Sequence, residues 1–341
     1  MEHIAVVGAG SWGTTLANLL AVKGYRIDLW VFEPELVDII KTERENTYFL
    51  PGFKLSDNIY PSNSLEKVVI KKDIVVMVVP SQVYRTVARQ MIPFLKDNAV
   101  VVSASKGIEN ETLFTMTGVW QEELSGIKKK VEIATLGGPS FAKEVIRGIP
   151  TAVTVASTYP SLARELQKIF STKYFRVYTS TDKIGVELGG ALKNVIAIAA
   201  GITDGLGFGH NTRAALITRG LAEMIRLGVK MGAQPLTFAG LSGIGDLLLT
   251  CTGDLSRNRT VGLKLGQGKT LEEILENMKM VAEGVATTRS VYNLAKKMEV
   301  DMPIATGVYQ ILFEGKKPMD ALKELMEREL KAELSEVISP L

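Results

Sequence analysis

The sequence predicts a doubly wound α/β domain built on a parallel sheet, followed by an all-α C-terminal domain. Three observations carry this. A short apolar run, 4–7, leads directly into Gly8-Ala9-Gly10-Ser11-Trp12-Gly13 and then into an apolar helical stretch, 14–22. Further unbroken apolar runs alternate with helical patterns through the first half, as strands covered on both faces and joined by crossover helices require. From Asp182 onward, β-branched runs give way to Ala, Leu, Met and Lys in helical periods. The 341 residues suit two domains, each able to bury its own core, and the boundary is set at 1–180 and 181–341.

The run 4–7 is the first strand. In the turn that follows, Gly8 opens the sharp bend, Gly10 lets backbone amides approach a pyrophosphate, and Gly13 lets the next helix pack closely on the sheet. The unpaired N–H groups and positive dipole end of that helix favour an anion. This is a Rossmann-like, dinucleotide-binding start. A second strand, 26–32, ends at Phe32-Glu33, where a carboxylate suits the hydroxyls of an adenosine ribose and repels a 2′-phosphate. That favours NAD(H) and leaves NADP(H) open; the competing reading is that Glu33 merely caps the chain beside Pro34. Parallel strands are then expected at 74–79, 99–103, 131–136 and 151–156, with a short one at 175–178, and helices at 83–94, 112–124 and 160–170.

In the second half, helices are expected at 183–200, 212–231, 235–239, 257–265, 270–277, 285–297, 303–313 and 319–335. Open α/β sheets bind ligands beyond the carboxyl ends of their strands, so the expected site lies in a cleft where the helical domain supplies what acts on the substrate.

Composition argues against several partner classes. Forty basic and thirty-seven acidic residues give a net charge of +3 with no long basic block, which leaves nucleic-acid binding without an electrostatic footprint. Cys251 is the single cysteine, and His3 and His210 are the two histidines, so neither an internal disulfide nor a metal site is expected. No export leader is read before the first strand. The most apolar window, 188–202, is shorter than the ~20 residues of a membrane span. A cytoplasmic setting follows. The apolar pattern at 321–338 leaves a homodimer open.

Lys193 lies in Leu188-Gly189-Gly190-Ala191-Leu192-Lys193-Asn194-Val195-Ile196, an apolar, small-residue helix. Burial there destabilises an ammonium and brings its proton exchange toward neutral pH, unless the side chain simply snorkels to the rim. Asp246 could pair with it or cap a helix. Thr250 could donate a hydroxyl or bond back to its own turn, and Arg257 with Asn258 could hold an anion or form part of a solvated loop.

Taken together, Gly8 to Gly13, Ser105-Lys106-Gly107, Gly137-Gly138-Pro139-Ser140-Phe141-Ala142-Lys143-Glu144, Gly190 to Asn194, Asn211-Thr212, Ser256-Arg257-Asn258 and Val281-Ala282-Glu283-Gly284 resemble NAD(P)-dependent glycerol-3-phosphate dehydrogenases. The resemblance covers most of the chain. It implies interconversion of dihydroxyacetone phosphate and sn-glycerol 3-phosphate, feeding phospholipid synthesis, with Lys193 as proton donor or acceptor. It further implies that Lys106, Asn194, Asp246 and Thr250 arrange that lysine and the substrate, and that Arg257 and Asn258 hold the substrate phosphate. Gly138, Ser140 and Ser256 would complete the substrate contacts. Gly8, Gly10, Ser11, Trp12, Gly13, Phe32, Glu33, Lys106, Ala142, Arg257, Val281 and Glu283 would contact the dinucleotide. Many bacterial members carry a basic residue after the second strand, whereas Trp30-Val31-Phe32-Glu33 and the following Glu45 to Gly52 look more like the NAD-dependent animal form. The alternatives are another two-domain reductase of hydroxyacid or ketopantoate type, and an NAD(H)-sensing protein without turnover.

Overall fold

The computed structural model describes residues 3–278, 281–330 and 332–333. The chain divides into two compact units, one comprising Met1–Lys106 and Met116–Lys183, the other Gly107–Thr115 and Ile184–Leu341.

Among the described residues, the first unit contains ten strands: β1 (Ile4–Val7), β2 (Ile27–Trp30), β3 (Glu45–Asn46), β4 (Leu50–Lys54), β5 (Ile59–Ser62), β6 (Ile74–Met77), β7 (Ala99–Ser103), β8 (Val131–Gly137), β9 (Thr151–Ala156) and β10 (Phe175–Ser180). Eight of them form one sheet in the order β10-β9-β8-β7-β6-β1-β2-β5, while β3 and β4 form a separate hairpin. Side-chain alternation explains why the apolar runs are unbroken. Ile4 and Val6 enter the core on one face with Leu16 and Leu20, and Ala5 and Val7 enter the other with Tyr84 and Trp120. The strand order reverses between β1 and β6, so the glycine turn leaving β1 lies at the switch point where such sheets take ligands.

Three expectations for this unit are corrected. The sheet is not parallel throughout: β9 runs antiparallel to β8, with Thr135 opposite Ala156 and Gly137 opposite Thr154, and β10 is parallel to β9. Between β8 and β9 the chain forms only the four-residue helix Ala142–Val145, too little for a crossover, so it returns along the same edge. Strand β5 escaped notice because Pro61 interrupts it; it pairs only with β2, and a proline is tolerated on such an edge. The helix expected at 112–124 starts later, as Met116–Glu123. An Ile108–Thr115 bridge and a left-handed Leu113 (φ 65°) precede it, and Ile108 is buried in the core of the second unit.

The second unit is helical, as expected. Its axis is the 23-residue helix Lys183–Gly205, in which every residue from Gly185 to Thr203 is buried. This helix is longer than expected and satisfies the length of a membrane span, correcting the argument from a short window. Its most apolar 18-residue stretch is 94% buried in the structure, as in the core helix of a folded domain. Around it pack His210–Lys230, Arg257–Gly266, Glu283–Met298 and Pro303–Phe313. An unanticipated π-turn, Leu241–Gly245, leads into the short helix Asp246–Thr252. The helix expected at 319–335 is formed as Pro318–Met326; residues 331 and 334–335, and the end of the 321–338 pattern, lie outside the described residues.

Candidate active site

In the first unit, the glycine turn is dictated by backbone contacts. Gly8 has φ +113°, and a Cβ there would stand 2.5 Å from the Val78 carbonyl oxygen; a Cβ on Gly13 would stand 1.9 Å from the Gly8 carbonyl oxygen. Gly10 is different. A Cβ on it would meet no protein atom within 4 Å, so protein packing does not explain the glycine, and the space beside its backbone is open to a ligand. Gly10 is also the N-cap of Ser11–Val22 and gives that helix no side-chain cap. Open space, uncapped helical amides and a switch point fit a dinucleotide pyrophosphate.

The neighbouring predicted residues gather at this end of the sheet. Trp12 packs near Phe175, with ring centroids 6.4 Å apart. Thr15 reaches from the same helix to the Ala142 carbonyl at 3.4 Å. Phe32 is 73% exposed beside Trp30, and Glu33 occupies the N-cap of Pro34–Glu43 without making a side-chain capping bond. Glu33 thus takes the cap position beside Pro34 through its backbone, with no capping bond from its carboxylate. Strand β2 stops at Trp30, which places Phe32 and Glu33 in the loop beyond it. Lys106 Nζ donates to the Gly138 carbonyl at 2.9 Å, and Ser140 Oγ donates to the same oxygen at 3.0 Å. Gly138 has φ +128° and lies 3.0 Å from Val153 Cα at its Cβ position, so the turn after β8 requires glycine.

In the second unit, Lys193 is 7% exposed and Asp246 is fully buried. Lys193 Nζ donates to Asp246 Oδ1 at 2.7 Å and to Thr250 Oγ1 at 2.7 Å. Thr250 Oγ1 in turn donates to the Asp246 carbonyl at 2.6 Å, so its hydroxyl serves both its own turn and the lysine. The approach has a local cause one helical turn away. A Cβ on Gly189 would stand 2.0 Å from the Ser242 carbonyl oxygen, so glycine lets the Leu241–Gly245 turn press onto the helix face that carries Lys193. Asp246 follows that turn, and Gly245 rather than Asp246 occupies the N-cap position. A snorkelling lysine and a capping aspartate are both excluded by these contacts. Burial raises the neighbouring Cys251 thiol to about 12, which leaves it inert near neutral pH.

A second network begins at the next residue. Asn258 Nδ2 donates to Asn194 Oδ1 at 2.8 Å, and Asn258 Oδ1 accepts the Gly284 N–H at 2.9 Å. A Cβ on Gly284 would stand 2.7 Å from Asn258 Oδ1. Ser256 caps Arg257–Gly266 by accepting the Arg259 N–H, so the Ser256 to Arg259 segment starts a helix instead of forming a solvated loop. Arg257 is exposed at that helix start and donates Nη1 to the Val281 carbonyl at 2.9 Å. Although the residue reaches solvent, the atoms crowded around its guanidinium desolvate it and lower its pKa, Glu283 opposes this, and an arginine keeps its charge. Val281 is 57% exposed, and Glu283 opens Glu283–Met298. Among the described residues, no three His, Cys, Asp or Glu side chains gather as a metal site.

Sequence reading missed Asn46. It is fully buried, and its amide touches the glycine turn. Its run, Lys41-Thr42-Glu43-Arg44-Glu45-Asn46-Thr47, is polar, so nothing local marks Asn46 for burial, and its Ala9 and Thr14 partners are distant in the chain.

Comparison with known proteins accounts for both units. Residues 3–163 match the N-terminal region, and residues 182–323 the C-terminal region, described as NAD-dependent glycerol-3-phosphate dehydrogenase. The chain is 60% identical over 332 residues to a glycerol-3-phosphate dehydrogenase [NAD(P)+] of Syntrophobacter fumaroxidans, covering 97% of each chain. It is likewise 60% identical to the protein so named in Citrifermentans bemidjiense, covering 97% of this chain and 99% of the relative. The crystal structure of glycerol-3-phosphate dehydrogenase from Coxiella burnetii superposes with a TM-score of 0.92 at 39% identity, over 96% of this chain and 99% of that one.

Proposed function

The chain belongs to the NAD-dependent glycerol-3-phosphate dehydrogenase family, and we propose that its two halves divide one reaction between them. The protein is an oxidoreductase that interconverts dihydroxyacetone phosphate and glycerol 3-phosphate with NAD(P)H. In this reading residues 1–180 form the NAD(P)-binding domain and residues 181–341 the substrate and catalytic domain. The observation that carries it is the buried Lys193, held by Asp246 and Thr250 inside an apolar helical core. A charge so placed is costly unless it is used.

The nucleotide would lie on Gly8, Gly10, Ser11, Trp12 and Gly13, with Phe32 and Glu33 toward its ribose and Lys106, Ala142, Arg257, Val281 and Glu283 as further contacts. When bound, it supplies the hydride. Lys193 faces the substrate carbonyl oxygen, stabilises the negative charge that grows there, and gives up a proton from Nζ to make the alcohol. In reverse, the neutral amine takes that proton back. Asp246 and Thr250 fix the direction of the Nζ–H bonds. Arg257 and Asn258, at the start of a helix capped by Ser256, hold the substrate phosphate. Asn194 couples that helix to the lysine's own helix through Asn258, and Lys106, Gly138 and Ser140 complete the substrate contacts.

Glu33 favours NAD(H) over NADP(H), because its carboxylate makes no capping bond and stands beyond the second strand. A cytoplasmic location and supply of glycerol 3-phosphate for phospholipid synthesis belong to the same proposal, as does a homodimer, which light scattering tests. The deciding assay follows absorbance as NADH is mixed with dihydroxyacetone phosphate, with NADPH and unphosphorylated dihydroxyacetone alongside. Oxidation that needs the phosphate and runs faster with NADH is expected; equal rates with dihydroxyacetone would overturn the role of Arg257, and faster rates with NADPH that of Glu33.

A further inference from the structure

We infer that Asn46 is a positioning residue for the dinucleotide, acting by locking the orientation of a single peptide group, Ala9–Gly10. This rests on the reading of the glycine turn as a pyrophosphate site. Asn46 lies in β3, outside the glycine turn, and is fully buried. Its Nδ2 donates to the Ala9 carbonyl at 2.7 Å and to Thr14 Oγ1 at 2.8 Å, while its Oδ1 accepts the Phe49 N–H at 2.9 Å. Thr14 Oγ1 spends its own proton on the same Ala9 carbonyl at 3.1 Å. The amide orientation is therefore unambiguous: both of its hydrogens and its oxygen have partners that accept only that arrangement.

The consequence follows from the geometry of the peptide bond. In a trans peptide the C=O and the next N–H point in opposite directions from one plane. Two donors hold the Ala9 oxygen inward, so the Gly10 N–H is turned outward, to the side where a Cβ on Gly10 would meet no protein atom within 4 Å. Asn46 thus aims a backbone donor at the nucleotide without touching it. The affinity gained is that of a preorganised donor, since no peptide rotation is left to accompany binding.

The test is direct titration of NADH and of adenosine, which lacks the pyrophosphate, against wild type, Asn46→Ala and Asn46→Asp, with unfolding temperature measured in each. Binding of NADH by wild type is the control on the site itself; without it the reading of the glycine turn fails, whatever the variants do. Given that control, the expected result is about a tenfold weaker NADH affinity in both variants. Adenosine affinity should be unchanged, and KM for NADH should rise with kcat preserved. Asn46→Asp keeps the acceptor for the Phe49 N–H but sets an oxygen against the Ala9 carbonyl, so it should be at least as weak as Asn46→Ala. Unchanged NADH affinity, or equal weakening of NADH and adenosine, would overturn the inference and leave Asn46 as a brace for the hairpin alone. Should the Asn46 variants not fold, Thr14→Val against Thr14→Ser decides, with NADH weakened about threefold by the first and restored by the second; equal affinities would count against it.

Discussion

The two units put polar chemistry to work by opposite means. In the first, the proposed pyrophosphate site is made of backbone: glycines that admit close approach, helical amides without a side-chain cap, and a carbonyl held inward by Asn46 and Thr14. In the second, it is made of side chains buried in an apolar helical core, where Lys193 is held by Asp246 and Thr250 and Asn194 by Asn258. A backbone site is uncharged and changes little with pH or salt. A buried side-chain site carries desolvated charge, and its loss leaves a partner stranded. Changes in the first unit should therefore appear as altered binding, and changes in the second as altered turnover.

The largest effect expected is on Lys193. Lys193→Met should lower turnover about a thousandfold and, by leaving Asp246 buried without its cation, cost about 3 kcal/mol of stability. Lys193→Met combined with Asp246→Asn should recover much of that stability in thermal unfolding and none of the turnover. Were the pair only structural, the double variant would be active. Next comes Arg257→Ala, for which kcat/KM for dihydroxyacetone phosphate should fall about a hundredfold, with kcat reduced as well as KM raised, because anchoring a remote phosphate fixes the reacting atoms. An effect confined to KM would mean that Arg257 binds without positioning.

The glycines give a smaller, sharper contrast. Gly10→Ala should fold normally and bind NADH about tenfold more weakly, since its new methyl enters space free of protein atoms. Gly13→Ala should instead lower the unfolding temperature, because its methyl would stand 1.9 Å from the Gly8 carbonyl oxygen. If the two behaved alike, the division between ligand space and packing space in this turn would be lost.

The smallest effect on activity is expected at Glu223, a buried carboxyl group in the second unit outside the proposed site. Its carboxylate accepts the N–H groups of Ile304 and Ala305 at 2.6 and 3.1 Å, satisfying the start of Pro303–Phe313. Burial raises it from 4.5 to about 7, against the lowering effect of those two amides and of Arg226. The folded state thus keeps a proton that the unfolded state has released. The stability this contributes is complete below the unfolded value of 4.5 and is lost as pH rises through about 7. Denaturant unfolding between these limits should show wild type losing on the order of 1–3 kcal/mol that Glu223→Gln does not lose, with turnover little changed in both.

These contrasts follow how far each region could be read from sequence. The glycine turn was legible because its constraints are local: Gly8, Gly10 and Gly13 lie within six residues between an apolar strand and an apolar helix. Lys193 was legible because a charge in an apolar helix demands a reason, although only the fold shows that Gly189 lets the turn leading into Asp246 close on it. The rest depends on contacts distant in the chain. The antiparallel return of β9 is decided by the short connection after β8, and the place of Ile108 by a core assembled from helices far downstream. Asn46 and Glu223 read as ordinary polar residues because most of their partners are backbone groups, which carry no sequence signal, and the one side-chain partner given for Asn46, Thr14, is 32 residues away.

The most direct test of the division of labour measures NADH affinity and turnover side by side in Gly10→Ala and Lys193→Met. The account predicts a double dissociation, with weakened nucleotide binding but substantial turnover at saturating NADH in the first, and near-normal binding with turnover abolished in the second. Retention of most turnover by Lys193→Met, at undiminished NADH affinity, would contradict it.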